Sequence, residues 1–449
     1  MINLLRFKNS QIDAVKEKVS KSENPIQEIF DSEDISISFN DQHIFRKRIY
    51  TPINTLVAFT RQCFSKEKKS CRKSVSEIVA EEASKGIEVS SATGAYTKAR
   101  AKLSAEAMES VMTKLDEVAN EIPEKKFVWH EMVVKMLDGS TIQMPDTKSN
   151  QLSYPQHANQ KEGSGFPIAR IVVLMSLATG TVIDYAIAPY KGKLTGEHAL
   201  FREIQHHICS KTLLLGDAYY PSYFLMSELI NRSANGIFKA SASRDNEKYI
   251  IEKNGKNDHI VCWEKPVNRP DWMTQDEYDK QPCSLKLRLI KEAGVFYITT
   301  LIDKKYHKNE IVSLYKERWK IEVNFRSIKT FMGMEVLLCK SSEMIKKEIT
   351  ANLIAYNIIR LLMVKAAVIK GCLPNELSFM NAMNQIESFE VYIMTSENSY
   401  YLWIAMFTAI SSIKIGNRPG RFEPRVVKRR PKSFPRMSGK RSDYERKAA

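Results

Sequence analysis

Apolar residues recur every three or four positions through the first quarter of the chain, in "INTLVAFTRQCF", "SVSEIVAEEAS" and "AEAMESVMTKLDEVA". That spacing predicts a mostly helical domain over residues 1–127. Beyond Glu124 the period shortens toward two in "FVWHEMVVKMLDGSTI". Two further β-rich runs, "IARIVVLMSLATG" and "TVIDYAIAPY", join at "ATG" as a hairpin would. A helix fits "GEHALFREIQHHI", and the short apolar strand of "TLLLGDAYY" follows it. From 232 to 303 short strands alternate with polar turns, as in "KYIIEKNGKNDHIVCWEK" and "SLKLRLIKEAGVFYITTLI". Helical spacing then returns, with a long apolar helix around 345–369 and a helical region to about 413.

The order β-β-β-α-β after residue 127 is the start of a ribonuclease H-like core. The predicted fold class is α/β: this core in two parts, 128–231 and 304–369, interrupted by a β-rich insertion at 232–303. A helical N-terminal domain precedes it (1–127), and a helical region ending in a basic arm follows (370–449). A chain of 449 residues is long enough for several such units.

Charge adds a partner to this plan. The 68 Lys and Arg against 52 Asp and Glu leave a formal charge of +16, which points to a polyanion, nucleic acid ahead of membrane. Thirteen basic and three acidic residues follow position 413, so the tail carries +10 of that excess. Pro419, Pro424, Pro431 and Pro435 forbid a continuous helix there. The tail reads either as an extended arm presenting Arg418, Arg421, Arg425, Lys428, Arg429 and Arg430 to DNA, or as a solubilising end. "SSATGAYTKARAKL" fits the second helix of a helix-turn-helix, with Tyr96, Lys98 and Arg100 on DNA, and fits an amphipathic packing helix equally. The seven cysteines form no C-x-x-C pair, so neither a zinc ribbon nor a disulfide framework is indicated. No leader pattern opens the chain, and Asn352, Asn357, Arg360 and Lys365 interrupt the most apolar run. A cytoplasmic protein with no membrane partner is the expectation.

The candidate chemistry lies in carboxylates. Asp138 and Asp217 each follow an apolar run, where a sheet presents side chains to a cleft. Between them and the tail lies "YKERWKIEVNFRSIK", residues 315–329. On a helical wheel with Tyr315 at zero, Arg318, Glu322 and Lys329 fall at about −60°, −20° and −40°, a single stripe ~21 Å long. Ile321, Phe325, Ile328 and Met332 form an apolar face beside it. Packed through that face, the helix would bring Glu322 to Asp138 and Asp217. Three convergent carboxylates suit hard divalent cations, and two such ions roughly 3.5–4 Å apart support in-line phosphoryl displacement. Each residue also has a plain reading, as a turn, a helix cap or a solvated charge. His206, His207 and Cys209 do not share one side of a helix at that spacing. Asp146 reads as a turn residue and Asp184 as an alternating strand position. "GSG" at 163–165 lacks the G-K-[ST] of a phosphate loop.

Tyr315-x2-Arg318-x3-Glu322-x6-Lys329 resembles the Y-R-E-K signature of DDE transposases from bacterial insertion sequences, specifically the large family numbered four. "LDGSTIQMPDT", "LLLGDAYYPSYF", "LKLRLI", "NRPGRFEPRVVKRRPK", "SCRKSV" and "TGAYTKARAKL" extend the resemblance over most of the chain. It implies a Mg²⁺-dependent enzyme with two ions per site, Mn²⁺ able to substitute, and Asp138, Asp217 and Glu322 as catalytic metal ligands. Tyr315, Arg318 and Lys329 would contact the transposon end, the two cations at phosphates. The implied reaction is cut-and-paste at terminal inverted repeats, with a hairpin route in related enzymes, followed by joining to target double-stranded DNA. It implies a homodimer in the synaptic complex and a nucleoid-associated bacterial setting. Many relatives carry a small residue two positions after the second aspartate, where this chain has Tyr219. The alternatives are a non-catalytic DNA-binding protein of transposase descent and a metal-dependent nuclease of the same core fold. All three carboxylates argue against the first, and the Y-R-E-K stripe and long insertion against the second.

Overall fold

The apolar runs after residue 127 assemble into one mixed, ten-stranded sheet in the computed structural model, which describes residues 49–64, 70–122, 128–157, 161, 163–240, 247–396 and 399–415. The strands are β1 (Val128–Trp129), β2 (Met132–Gln143), β3 (Ile168–Ser176), β4 (Val182–Pro189), β5 (Thr212–Gly216), β6 (Asn235–Lys239), β7 (Ile250–Gly255), β8 (Asp258–Glu264), β9 (Ser284–Glu292) and β10 (Val295–Thr299). Their order is β4-β3-β2-β5-β6-β10-β9-β8-β7, with β1 paired to β2. Strands β2, β3 and β4 form an antiparallel meander, while β5 runs parallel to β2 and β6 parallel to β5. The meander's second turn needs Gly180, which has φ +74° and lies so close under the Arg360 guanidinium that a Cβ there would collide with it.

The helices are α1 (Pro52–Cys63), α2 (Cys71–Ser84), α3 (Gly94–Lys102), α4 (Ala105–Glu121), α5 (Lys148–Ser153), α6 (Glu197–Ile204) and α7 (Tyr223–Asn231). Downstream come α8 (Gln275–Asp279), α9 (Lys308–Lys316), α10 (Trp319–Arg326), α11 (Ser342–Lys370), α12 (Phe379–Thr395) and α13 (Tyr400–Ser412). Side chains alternate across the sheet. Met136, Val173, Met175 and Leu215 pack with α4 and α11 on one face, while Leu137, Val172, Leu174 and Leu214 pack with α6 and α7 on the other. Helix α11 is long and apolar enough to cross a membrane by length and composition alone, but 89% of its most apolar window is buried inside the fold. Its polar residues are engaged there. Asn357 accepts from Val182 N and donates to Val182 O, both at 2.8 Å, and Arg360 Nε donates to Thr179 O at 2.8 Å.

Two features depart from the pattern read in the sequence. The boundary expected at 232 falls just ahead of β6, yet α7 carries the chain back so that β6 pairs in parallel with β5 and continues the first part of the sheet. The antiparallel strands β7 to β10 then extend that same sheet through β10 on β6. The stretch 315–329 is also not one helix. Turns with i→i+3 bonds, Arg318 N to Tyr315 O at 3.0 Å and Ile321 N to Arg318 O at 2.9 Å, separate α9 from α10, and a π-helical turn spans Ser327–Phe331. The apolar residues Ile321, Phe325, Ile328 and Met332 remain buried across these changes.

Beyond the pairing of β10 with β6, a buried arginine ties the insertion to the segment that leads into α9. Arg288 of β9 is 4% exposed and donates from Nε and Nη2 to the two oxygens of Asp258 at 2.8 and 2.6 Å. Its Nη1 donates to the carbonyls of Asp303 and Tyr306, at 3.3 and 2.7 Å, on the segment that leads into α9. Removing one partner of a buried pair strands the other charge. Asp258→Ala is therefore expected to cost about 3–5 kcal/mol in chemical denaturation, and Asp258→Leu combined with Arg288→Met to recover most of that loss. A small effect of the single change would show that the pair is not what holds the insertion.

Candidate active site

Strand β5 pairs with β2 only from Val133 to Met136, the last pair being Met136 and Leu215. Asp138 and Asp217 each lie two residues past that pair, in step, where β2 has lost its parallel neighbour. Asp138 is consequently not at a strand end, as the apolar run had suggested, because β2 continues along β3 to Gln143. It is the end of β5 that opens the cleft. Asp138 Oδ1 accepts the Gly139 N–H at 2.9 Å, and Asp217 Oδ1 accepts the Tyr219 N–H at 2.8 Å.

Helix α10 packs against β2 and brings Glu322 to the same place. Arg318, in the turn between α9 and α10, spans two of the carboxylates. Its Nη2 donates to Glu322 Oε1 at 2.8 Å, and its Nη1 stands 3.9 Å from Asp138 Oδ2. Burial raises the Asp138 carboxyl to about 6, with the charges of Asp217 and Glu197 pushing the same way and the Gly139 N–H and Arg318 opposing. Burial likewise raises the Tyr315 phenol, which feels both Arg318 and Asp217. The Tyr315 ring meets Tyr297 edge-on at 5.1 Å. Lys329 Nζ donates to Ser140 Oγ at 3.1 Å, and burial lowers its pKa. Arg318, Glu322 and Lys329 thus lie beside β2, on a broken helix rather than a straight stripe, while Tyr315 packs on Tyr297 of β10.

All-oxygen donors suit a hard divalent ion. Asp138, Asp217 and Glu322 fit one on electrostatic grounds too, since ionised Asp138 is disfavoured and Arg318 is the counter-charge in contact with it. The arrangement is open. Among the described residues, the grouping whose ligand atoms all lie within 4.8 Å is a different one, Asp184 with His206 and His207 on another part of the sheet. Two large aromatics close in the chain to site residues are exposed, Trp319 after Arg318 at 62% and Tyr219, whose N–H bonds Asp217, at 55%.

Glu197 has no counterpart in the sequence reading. It opens α6 on the opposite face from Met136, and its carboxylate lies where a Cβ on Gly139 would be, 2.5 Å from its Cδ. Tyr220 Oη donates to Glu197 Oε2 at 3.1 Å, and burial first, then the charges of Glu197, Asp138 and Asp217, raise that phenol well above its ordinary value. The only local signal was the glycine after Asp138, and its partner is 58 positions away.

The N-terminal candidates separate. Tyr96 is fully buried and donates to Gln62 Oε1 at 2.9 Å, so it cannot present its ring to DNA. Arg100 is half-buried, donates to the same Gln62 oxygen at 3.0 Å and lies 4.6 Å from the centroid of Phe59. These two residues hold α3 on α1, which is the packing-helix reading. Lys98 is exposed. Nine residues, 85–93, separate α2 from α3, longer than a helix-turn-helix turn of three or four. Arg418, Arg421, Arg425, Lys428, Arg429 and Arg430 lie outside the described residues.

Residues 129–358 match the family model described as "Transposase DDE domain". The chain is 26% identical over 353 residues to the transposase InsG for insertion sequence element IS4 of Escherichia coli (strain K12), covering 77% of this chain and 78% of that one. A solved structure, the cryo-EM structure of the piggyBac transposase synaptic complex with hairpin DNA, is similar at a TM-score of 0.44 and 11% identity, over 90% of this chain and 88% of that one.

The pairing of Glu197 with Asp138 has a pH signature in metal-free protein. Because the folded-state pKa of Asp138, about 6, lies above the ordinary carboxylate value, its ionisation costs stability, a cost absent below about pH 3, small at pH 4 and complete by about pH 7. Glu197→Gln keeps an acceptor for Tyr220 and removes the repelling charge. Urea unfolding in EDTA should therefore show the variant gaining on the wild type between pH 4 and pH 7.5, by up to about 1 kcal/mol. An equal difference at both pH values would mean that Glu197 does not act on Asp138.

Proposed function

This chain belongs to the DDE-domain transposases of the IS4 type, and from that premise we propose that it is an active enzyme whose catalytic metal ligands are Asp138, Asp217 and Glu322. The observation that carries the reading is the meeting of β2, β5 and α10, where Arg318 spans Asp138 and Glu322 and Asp217 stands in step with Asp138. The core we propose is ribonuclease H-like. Its support is the strand order β4-β3-β2-β5-β6, three strands antiparallel and two parallel, with the insertion entering between β6 and α9.

Family membership implies a divalent metal; Mg²⁺, two ions per site and substitution by Mn²⁺ are our assignment. When bound, such ions activate the attacking water or 3′-hydroxyl and stabilise the leaving oxygen. The chain's own residues prepare the site. The N–H groups of Gly139 and Tyr219 orient one oxygen of each aspartate and leave the other for the ions. Arg318 neutralises the carboxylates in their absence and, with five N–H donors in a fixed fork, can turn to a phosphate when DNA arrives. Lys329, held by Ser140 two residues past Asp138, adds a second cation along the same strand. Tyr315 fixes the wall behind Arg318, and the open faces of Trp319 and Tyr219 suit stacking on bases at the cut.

The substrate we assign is double-stranded DNA, first the element's terminal inverted repeats and then the target, in a cut-and-paste reaction whose excision step follows the hairpin route. Cutting both ends in one event requires their synapsis, so the working form is a homodimer. Its setting is the bacterial nucleoid, in the cytoplasm. The +10 tail supplies sequence-independent affinity for the backbone.

The test is a short duplex carrying the element's own terminal repeat, incubated with Mg²⁺ or with EDTA. Wild type should cut at the repeat boundary in Mg²⁺ alone, and Glu322→Gln should cut at least about a hundredfold more slowly while still binding the end. Specific binding with no cutting in either Mg²⁺ or Mn²⁺ would sink the proposal.

A further inference from the structure

Away from the three carboxylates, we propose, Asp184, His206 and His207 form a second metal site, for a divalent transition metal of which Zn²⁺ is the best match. Helix α6 stops at Ile204, and in the 3₁₀ turn that follows, Gln205–His207, the two imidazoles lie with their ring centroids 4.1 Å apart. They meet Asp184, which lies on the edge strand β4, two strands across from Asp138. His207 Nε2 is 3.0 Å and His206 Nε2 is 3.8 Å from Asp184 Oδ2, and the three ligand atoms all lie within 4.8 Å of one another. A tetrahedral ion with bonds of about 2.0–2.1 Å holds its ligands roughly 3.3 Å apart, so these atoms need little movement to close on one.

Two of the three ligands, Asp184 and His206, are also held from behind. Asp184 Oδ1 accepts the Tyr185 N–H at 2.7 Å, which leaves Oδ2 for an ion. His206 Nδ1 lies 3.2 Å from the Glu203 carbonyl, a partner that can only accept, so Nδ1 carries a proton. In the neutral ring the lone pair is then on Nε2, the atom turned toward Asp184. A carbonyl behind the far ring nitrogen in this way fixes the tautomer and orientation of an imidazole that binds a metal. Lys135 Nζ donates to the His207 carbonyl at 2.6 Å and pins the turn. His206 Nε2 and Asp184 Oδ2 face each other at 3.8 Å, and a cation between them would take a lone pair from each.

The donor set separates this site from the first. Two imidazoles and one carboxylate favour Zn²⁺ and its transition-metal neighbours, whereas Mg²⁺ prefers oxygen ligands. The side chains of Asp184 and His207 are about one-fifth exposed and that of His206 two-thirds, at 19%, 20% and 66%, so one side remains open for a water ligand. The ion's role would be structural. It ties the C-terminal end of α6 to β4, and the other end of α6 carries Glu197 over Gly139.

The experiment uses the full-length chain stripped of metal, with millimolar Mg²⁺ present to occupy the carboxylate site, titrated with Co²⁺ and then Zn²⁺. The expected result is one Co²⁺ per chain with visible d–d absorption, no thiolate charge-transfer band and displacement by one Zn²⁺. The His206→Gln, His207→Gln double variant should bind Zn²⁺ at least about tenfold more weakly. Asp184→Asn, with the fold checked by circular dichroism, gives an independent reading should the double variant fail to fold. Unchanged affinity in folded variants, a thiolate band from the cysteines, or no stoichiometric binding to wild type would each overturn the proposal.

Discussion

Ionised carboxylates gathered at one half-buried spot repel each other unless positive charge lies among them, and in this chain the charge beside Asp138 and Glu322 comes from Arg318. Its guanidinium bonds Glu322 and approaches Asp138, and so links two of the three acids of the proposed site. That placement depends on the break in the helix. Arg318 lies in the i→i+3 turn between α9 and α10, and the turn puts its fork between the two acids while Ile321 and Phe325 stay in the core. An uninterrupted helix would have given the cation to a row of polar groups facing outward.

The sheet and its insertion support that turn from two sides. The short pairing of β5 with β2 ends at Met136 and Leu215 and leaves both aspartates at the same level. From the other side, Arg288 joins Asp258 of the insertion to the carbonyls of Asp303 and Tyr306 just ahead of α9. The insertion is thus part of the frame that positions α9 and, after it, Arg318. Its strands share the central sheet rather than forming a separate body.

What the sequence made legible is what local pattern encodes. Strands β2 to β5 are rich in apolar residues, and the acids that follow "VVKML" and "LLLG" stood out because a charge directly after such a run needs an opening or a partner. The apolar face of residues 321–332 was readable because burial constrains it whatever the backbone does. The break at Arg318 carries no Gly or Pro to announce it. Tyr96 and Arg100 looked like DNA contacts because their partner, Gln62, lies 34 and 38 positions away. Glu197 over Gly139, and Asp184 beside His206 and His207, are likewise products of the topology. Long-range juxtaposition, not residue chemistry, was the missing information.

The central claim, that Asp138, Asp217 and Glu322 share one metal centre, is open to direct mapping on the protein chain itself. Fe²⁺ exchanged for Mg²⁺ in the presence of ascorbate and peroxide generates hydroxyl radicals that cut the backbone beside the bound ion, and the fragments locate it. The account gives three Mg²⁺-competed cuts, near 138, 217 and 322, all lost together in Asp138→Asn. Mg²⁺-competed cutting confined to other segments, or cuts at the three positions that respond to different substitutions, would contradict it.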